Sequence, residues 1–298
     1  MTSAAGPDAS PLVVCDLDGT LLRSDATVSP YTRGALRRLI ASGVALTIAT
    51  ARGVPSIRAL LADVELPLPV VELGGAYVSD PDTGEHFVHH TLDRAVAVAL
   101  VDALEAAGIE PAITSWDGTA DHVNHGPLST DGARWFHDEK AALNDPRLRY
   151  CADFRTLVRT HDIVLIRLSV PDEDADHAAE LLDTVCGGRA QILAVSNGYC
   201  PGWTEFGAHG LLADKGHALR ALRTRVGHTG PLMVCGDHLN DLPMFRHATA
   251  PADRRIAPAN AHPDILALAT DVTEPNDTDG IARFLLTELL PESAELAF

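Results

Sequence analysis

At 298 residues, with 46% hydrophobic and 21% charged residues, the chain is long enough for one or two globular domains and too apolar to be disordered. Its formal charge of −18 argues against nucleic acid or an anionic membrane as a partner, because both are bound through dense Lys and Arg. No stretch has the length of a bilayer span, and residues 1–10 lack the basic start and apolar run of a signal peptide, so a cytoplasmic chain with a flexible tail over 1–10 is expected.

A short apolar strand over 13–15 stops in Asp16-Leu17-Asp18-Gly19-Thr20, two carboxylates one residue apart followed by turn residues. Ser29 and Pro30 start a helix over 31–42, ended by Gly43. A second buried-type strand, 44–50, ends in Thr50-Ala51-Arg52; a helix over 54–64 and a strand over 69–73 follow. Strand, helix, strand, helix, strand predicts a parallel sheet with right-handed crossovers.

The pattern changes at 74–90, where polar and apolar residues alternate around Asp80-Pro81-Asp82-Thr83-Gly84, a hairpin signal, before a long helix over 91–107. Strands are predicted at 111–116, 121–125, 162–170, 190–196 and 199–206, with a helix over 172–186. The buried-strand style then resumes: Asp214 caps a helix over 215–226, and a strand over 231–237 ends in Gly236-Asp237. A helix over 239–247, a loop or short strand over 248–261, a helix over 263–269, a strand over 271–273 and a helix over 279–290 complete the chain. This divides it into an α/β core at 11–80 and 207–298 and an inserted α+β domain at 81–206.

Three buried strands thus end in polar groups: Asp16 with Asp18, Thr50, and Asp237 with Asp241 one helical turn on. Neighbouring parallel strands end side by side, which gathers residues distant in sequence at one crevice. Four carboxylates there repel by about 4 kcal/mol per pair at about 4 Å and an effective dielectric of about 20. A hard divalent cation relieves that repulsion, and oxygen-only ligation with open positions suits Mg²⁺ shared with a substrate phosphate. Lys215, Thr50 and the N–H groups around Gly19 can then hold the non-bridging phosphate oxygens. Asp16 is the candidate nucleophile. Asp18, in the looser turn, is the candidate acid/base, its proton retained in part by a like charge nearby.

With these residues the chain resembles the haloacid dehalogenase superfamily, in particular the Cof-type (subfamily IIB) phosphatases, whose large α/β cap is inserted after the third strand. Four motifs carry the resemblance over essentially the whole chain: Asp16-Leu17-Asp18-Gly19-Thr20, Thr50, Lys215 in Asp214-Lys215-Gly216, and Gly236-Asp237-His238-Leu239-Asn240-Asp241. It implies a Rossmann-like core with an inserted cap, an aspartyl-phosphate on Asp16, and Asp18 as general acid/base with its backbone carbonyl also facing Mg²⁺. It further implies that Asp237 binds the metal directly and Asp241 directly or through water. Thr50 and Lys215 would hold the phosphoryl group, with Asn240 close to it. Asn260-Ala261 and the run from Ala269 to Ile281 resemble the closing segment of the family, so Asn260 borders the site. Ala51 stands where the family has Gly, and Gly74-Gly75 where it has Asn-Gly; the second change removes an amide near the substrate.

The activity expected from the resemblance is Mg²⁺-dependent hydrolysis of a small phosphorylated metabolite, a sugar phosphate by preference. Phosphoryl transfer or a mutase reaction at the same site is the nearest alternative. A non-catalytic module sensing a phosphometabolite is another, and the complete set Asp16, Asp18, Thr50, Lys215 and Asp237 weighs against it. Arg52 either reaches a second anionic group of the substrate or makes a local salt bridge. His86, His89 and His90, with His122 and His125 nearby, are read as solvated side chains on polar strand faces rather than a metal site. Trp116, Trp135 and Trp203 all fall in the inserted domain and suit either its core or a face toward substrate. Glu139-Lys140 and Asp172-Glu173-Asp174 are read as solvated helix ends. Five scattered cysteines without a Cys-x-x-Cys suggest neither a disulfide framework nor a zinc site.

Overall fold

The computed structural model describes residues 10–290, so the expected N-terminal tail lies, apart from residue 10, outside them. The first segment runs β1 (Leu12–Cys15), α1 (Pro30–Ala41), β2 (Ala45–Ile48), α2 (Val54–Leu60), β3 (Val70–Glu72), β4 (Tyr77–Ser79) and β5 (His86–His89). Then come α3 (Arg94–Ala107), β6 (Pro111–Trp116), β7 (Asp121–His125), α4 (Asp131–Ala142), β8 (Leu148–Tyr150), α5 (Phe154–Thr160), β9 (Asp162–Pro171), α6 (Ala175–Cys186), β10 (Gln191–Ser196) and β11 (Trp203–His209). The last segment is α7 (Lys215–Val226), β12 (Leu232–Cys235), α8 (Leu242–His247), β13 (Arg254–Pro258), α9 (Pro263–Leu266), β14 (Asp271–Thr273) and α10 (Gly280–Leu289). The chain forms two compact units, one from residues up to 88 and from 214 onward, the other from 89–213.

The first unit is built on a parallel sheet of order β14-β13-β12-β1-β2. A parallel bridge from Ala49 to Val71 brings in β3, which continues into the antiparallel hairpin sheet β3-β4-β5. Alternation along the strands decides the layers. Val13, Cys15, Leu46, Ile48, Met233 and Cys235 face the apolar sides of α1, α2 and α10, while Leu12, Val14, Leu232 and Val234 face α7, α8 and α9. Both faces are covered, which is why these strands read as continuous apolar runs. Local chemistry sets the helix starts: the Ser29 side chain accepts from Thr32 N (2.9 Å) ahead of Pro30, and Asp214 accepts from His217 N (2.8 Å) to open α7.

The second unit is a six-stranded sheet of order β10-β11-β9-β6-β7-β8, antiparallel except for the β7–β8 pair. Helices α3, α5 and α6 cover one face with Val96, Leu100, Leu104, Leu157 and Leu182 against Ile113, Ile166, Leu168 and Phe206. On the other face α4 lies so close that a Cβ on Gly132 would meet the Trp203 ring and Ser169 Cβ. Among the described residues no helix is long and apolar enough to cross a membrane.

Several expectations need correction. Helices α4 and α5 and strand β8 occupy a stretch with no predicted element, and the last strand of the second unit begins at Trp203 rather than at 199. Lys140 is not a solvated helix end: it is buried on α4, with its ammonium 3.0 Å from Glu139 and over the Phe136 ring. His86 is not solvated either, since its ring stacks on buried Tyr77 (centroids 3.8 Å, planes 9° apart) and its Nδ1 lies 2.7 Å from Ser79 Oγ. The tryptophans pack within their own unit: Trp116 edge-on to His89, Trp135 stacked with Tyr199, and Trp203 on Gly132.

Candidate active site

Strand β1 hands its register on to Asp16, whose N–H donates to Cys235 O at 2.9 Å, so the first carboxylate is held by the β1–β12 ladder itself. The chain then turns sharply: the Leu17 carbonyl accepts from the N–H groups of Thr20, Leu21 and Leu22. Gly19 sits in this turn at φ +71°, and a Cβ there would collide with the Asp237 carboxylate. Glycine is therefore what allows two loops bearing carboxylates to approach so closely. Thr20 Oγ1 completes the approach by donating to Asp237 Oδ1 at 3.1 Å.

After β12, Gly236 leaves room for Asp241, whose Oδ2 accepts from Asp237 N (2.9 Å) and His238 N (3.0 Å). Its Oδ1 accepts from Lys215 Nζ at 2.6 Å, and the same ammonium donates to Asp16 Oδ1 at 2.8 Å. Lys215 and Asp241 are fully buried and Asp16 nearly so. Lys215 arrives here because it is the first residue of α7, and Gly216 lets α7 rest on the Pro243 carbonyl of α8. Asp16, Asp237 and Asp241 each offer a carboxylate oxygen, all within 4.8 Å of one another.

The electrostatics follow from burial. Desolvation pushes the Asp16 carboxyl well above the usual carboxylate range; Lys215 pulls it back, and Asp241, Asp237 and Asp18 push it further. Asp237 is pushed up to about 7, again by burial first and then by Asp241. Burial works against the Lys215 ammonium, but Asp16 and Asp241 outweigh it and hold its pKa above the ordinary lysine value. His238, beside these groups, is lowered by desolvation.

The second loop is equally fixed. Thr50 N donates to Val71 O (2.9 Å), Thr50 O accepts from Gly74 N (3.0 Å), and Thr50 Oγ1 accepts from Arg52 N (3.2 Å). Leu73, Gly74 and Gly75 all have positive φ, and a side chain on Gly75 would run into the Asp214 backbone that caps α7. Sequence reasoning missed Glu72 here. Fully buried at the end of β3, it accepts from Val54 N and Ser79 Oγ, both at 2.6 Å, and lies 3.3 Å from His86 Nδ1. The signal was present: the apolar run of β3 stops at a charged residue, Glu72, as the run of β1 stops at Asp16.

Arg52 forms a two-pronged pair with Asp18, Nε to Oδ2 at 2.8 Å and Nη2 to Oδ1 at 2.7 Å. Of the two readings of Arg52, a local salt bridge is the one formed, and the expectation of a like charge near Asp18 left this guanidinium out. Asn260 donates to the Gly19 carbonyl at 2.9 Å and accepts from Asn276 N at 2.9 Å, and Asn276 donates to Leu22 O. Asp277 and Asp279 take Ser24 and Arg23, so the closing segment straps down the loop after β1. Ala51 is exposed beside Arg52, and Asn240 has a buried Oδ1 with no hydrogen-bond partner.

A parallel α/β sheet whose strand ends gather carboxylates around a buried lysine defines a class of enzymes. A profile of the haloacid dehalogenase-like hydrolases matches residues 13–285, and the chain belongs to that family. Among its relatives, 5-amino-6-(5-phospho-D-ribitylamino)uracil phosphatase YwtE of Bacillus subtilis is 27% identical over 92% of this chain and 96% of its own length. The HMP-PP phosphatase of Cronobacter sakazakii is 29% identical over 85% of each chain. The solved structures of a haloacid dehalogenase-like hydrolase from Bacteroides thetaiotaomicron (TM-score 0.74, 21% identity) and of the subclass IIB sugar phosphatase BT4131 (TM-score 0.72, 21% identity) share the fold. Each covers 93% of this chain and 98% of its own. The chain is an enzyme of the phosphatase type within its family.

Proposed function

We propose that this enzyme hydrolyses small phosphomonoesters through an aspartyl-phosphate on Asp16, with the second unit acting as its cap. The observation that carries the reading is the convergence of Asp16, Lys215, Asp237 and Asp241 at one edge of the parallel sheet. Asp16, Asp18, Asp237 and Asp241 bring four negative charges, Lys215 and Arg52 return two, and the remaining two match one divalent cation. An all-oxygen donor set fits Mg²⁺; burial first, and neighbouring carboxylates in addition, raise the pKa values of Asp16 and Asp237, and a cation among them would offset that repulsion. The Asp16, Asp237 and Asp241 carboxylates, with the Asp18 carbonyl, would hold the ion, which when bound supplies positive charge to offset that of the phosphate.

The residues then divide the work. The carboxylate of Asp16 bonds to phosphorus as the bond to the leaving oxygen breaks, and Asp18 supplies the proton to that oxygen. Asp18 next removes a proton from water, whose oxygen displaces Asp16 from phosphorus and releases inorganic phosphate. Lys215, Thr50, Asn240 and the amide of Gly19 hold the phosphoryl oxygens. Arg52 Nη2 and Nε are already engaged with Asp18, and Asn260 serves the Gly19 carbonyl, so these two shape the site through its loops; Ala51 lies at its rim.

A phosphorylated sugar or polyol is the substrate class we favour, since the relative YwtE acts, by its name, on a phosphoribityl compound. The test is phosphate release from a panel of phosphorylated metabolites, with Mg²⁺ and with excess chelator, for the wild type and Asp16→Asn. Release that the chelator stops and the substitution abolishes supports the reading. Release that survives Asp16→Asn refutes it.

A further inference from the structure

The Arg52–Asp18 pair is positioned by the fold on both sides. Arg52 is the more buried partner, its side chain 13% exposed against 35% for Asp18. Its loop is pinned by Thr50 Oγ1 on Arg52 N, by Leu73 N on Arg52 O (3.1 Å), and by Glu72 on the first amide of α2. The Asp18 turn is pinned by the three amides on the Leu17 carbonyl. Two parallel N–H donors from one guanidinium match the two acceptor oxygens of a carboxylate; a carboxyl carrying its hydrogen has lost one of those acceptors. The fork therefore fixes the orientation of both Asp18 oxygens.

We infer that Arg52 is a positioning residue for breakdown of the phosphoenzyme: it holds the Asp18 carboxylate oriented to take a proton from the attacking water. This rests on the reading of Asp16 as nucleophile and Asp18 as acid/base. In the step concerned, a water O–H bond breaks and its proton passes to Asp18. The water oxygen bonds to phosphorus, and the bond from phosphorus to Asp16 breaks with its electron pair returning to the Asp16 carboxylate. The proton left on Asp18 is the one that the next leaving oxygen receives.

Steady-state and rapid-quench kinetics with p-nitrophenyl phosphate test this, because p-nitrophenolate leaves without an acid and isolates the second step. In Arg52→Ala, kcat should fall about 10- to 100-fold, the scale of partial loss of general-base catalysis. KM should fall by a similar factor, leaving kcat/KM within about twofold of wild type, because kcat/KM reports only the steps through phosphorylation. A burst approaching one p-nitrophenolate per chain should appear, with phosphate trapped on Asp16 by acid quench. Arg52→Lys keeps the charge without the fork and should show the same pattern, weaker, which covers the case of an Arg52→Ala chain that does not fold. Added to Asp18→Asn, Arg52→Ala should not slow breakdown further. A raised KM with lowered kcat/KM would mean that Arg52 grips the substrate, and additive loss in the double variant would mean that it acts apart from Asp18; either overturns the inference alone. Absence of chelator-sensitive turnover in the wild type would remove the reading beneath it.

Discussion

In the parallel sheet of the first unit the buried charges sit beyond the strand ends, Asp16 after β1 and Asp237 and Asp241 after β12. In the antiparallel β9–β11 ladder of the second unit charge sits on a face, Arg167 on β9 paired with Glu205 on β11. The face cluster is self-sufficient: Glu205 also accepts from Ser169 Oγ (3.2 Å) and Asn197 Nδ2 (3.0 Å). The strand-end cluster is not, because its carboxylates outnumber its cations. Charge placed at strand ends is available to a ligand, whereas charge placed on a sheet face is spent on holding the sheet together.

The sharpest way to break this contrast is to remove the cation from each cluster in turn. Lys215→Met leaves Asp16 and Asp241 buried without their shared partner, and should cost about 3–5 kcal/mol. Hydrogen exchange at the amides of β1 and β12 would register it, since all three tryptophans lie in the second unit and fluorescence does not see the first. A loss below about 1 kcal/mol would show that the buried ammonium is as dispensable as a surface lysine.

The next effect belongs to the second unit and to acid. His209 is buried beside Gly207 and Leu165, and desolvation, then Arg167, lowers its pKa to about 4. As pH falls below the ordinary histidine value of 6.5, the unfolded chain takes up the proton and the folded chain does not. The stability due to neutral His209 is thus complete above about 6.5 and is lost progressively as pH falls to about 4, a swing on the order of 3 kcal/mol. Tryptophan-monitored urea unfolding between pH 7.5 and 4.5 should show that swing in the wild type and lose most of it in His209→Leu.

A smaller effect sharpens the contrast from the other side. Mg²⁺ at about 100 times its dissociation constant should stabilise the chain by about 2.7 kcal/mol through mass action. Exchange should slow around 15–20 and 236–241 and stay unchanged on β9 and β11, and Asp237→Asn should abolish the response. Slowing on the second sheet instead would place the cation away from the aspartates.

The same physics explains what could be read from the residues alone. Asp16, Asp18, Thr50 and Asp237 were visible because β1 and β12 are wholly apolar and β2 carries only Thr47 before its end, so a charged or polar group just beyond announces a strand end. Glu72 carried the same signal at the end of β3, but its partners were hidden, since nothing local tells that Ser79 and His86 of the following hairpin close over that carboxylate. Helix α4 escaped because it buries only a narrow strip, Gly132, Phe136 and Lys140, one of them charged. The pairing of Arg52 with Asp18 joins positions 34 residues apart, and the local pattern left its two roles evenly weighed.

The smallest expected effect completes the pair of substitutions. Arg167→Met repeats in the second unit the operation of Lys215→Met, removing the cation from a carboxylate that is nearly buried. Glu205, however, keeps Ser169 and Asn197 as donors, and Arg167 itself is a quarter exposed, which screens the ion pair. The Nε of Arg167 is buried with no hydrogen-bond partner, a cost that methionine removes while its chain still packs on the Phe136 ring where the guanidinium lies 4.9 Å from the centroid. These terms nearly cancel, so tryptophan-monitored unfolding at pH 7.5 should shift by less than about 1 kcal/mol. A loss as large as that of Lys215→Met would mean that the face cluster, like the strand-end cluster, depends on a single cation, and the distinction between the two sheets would fail.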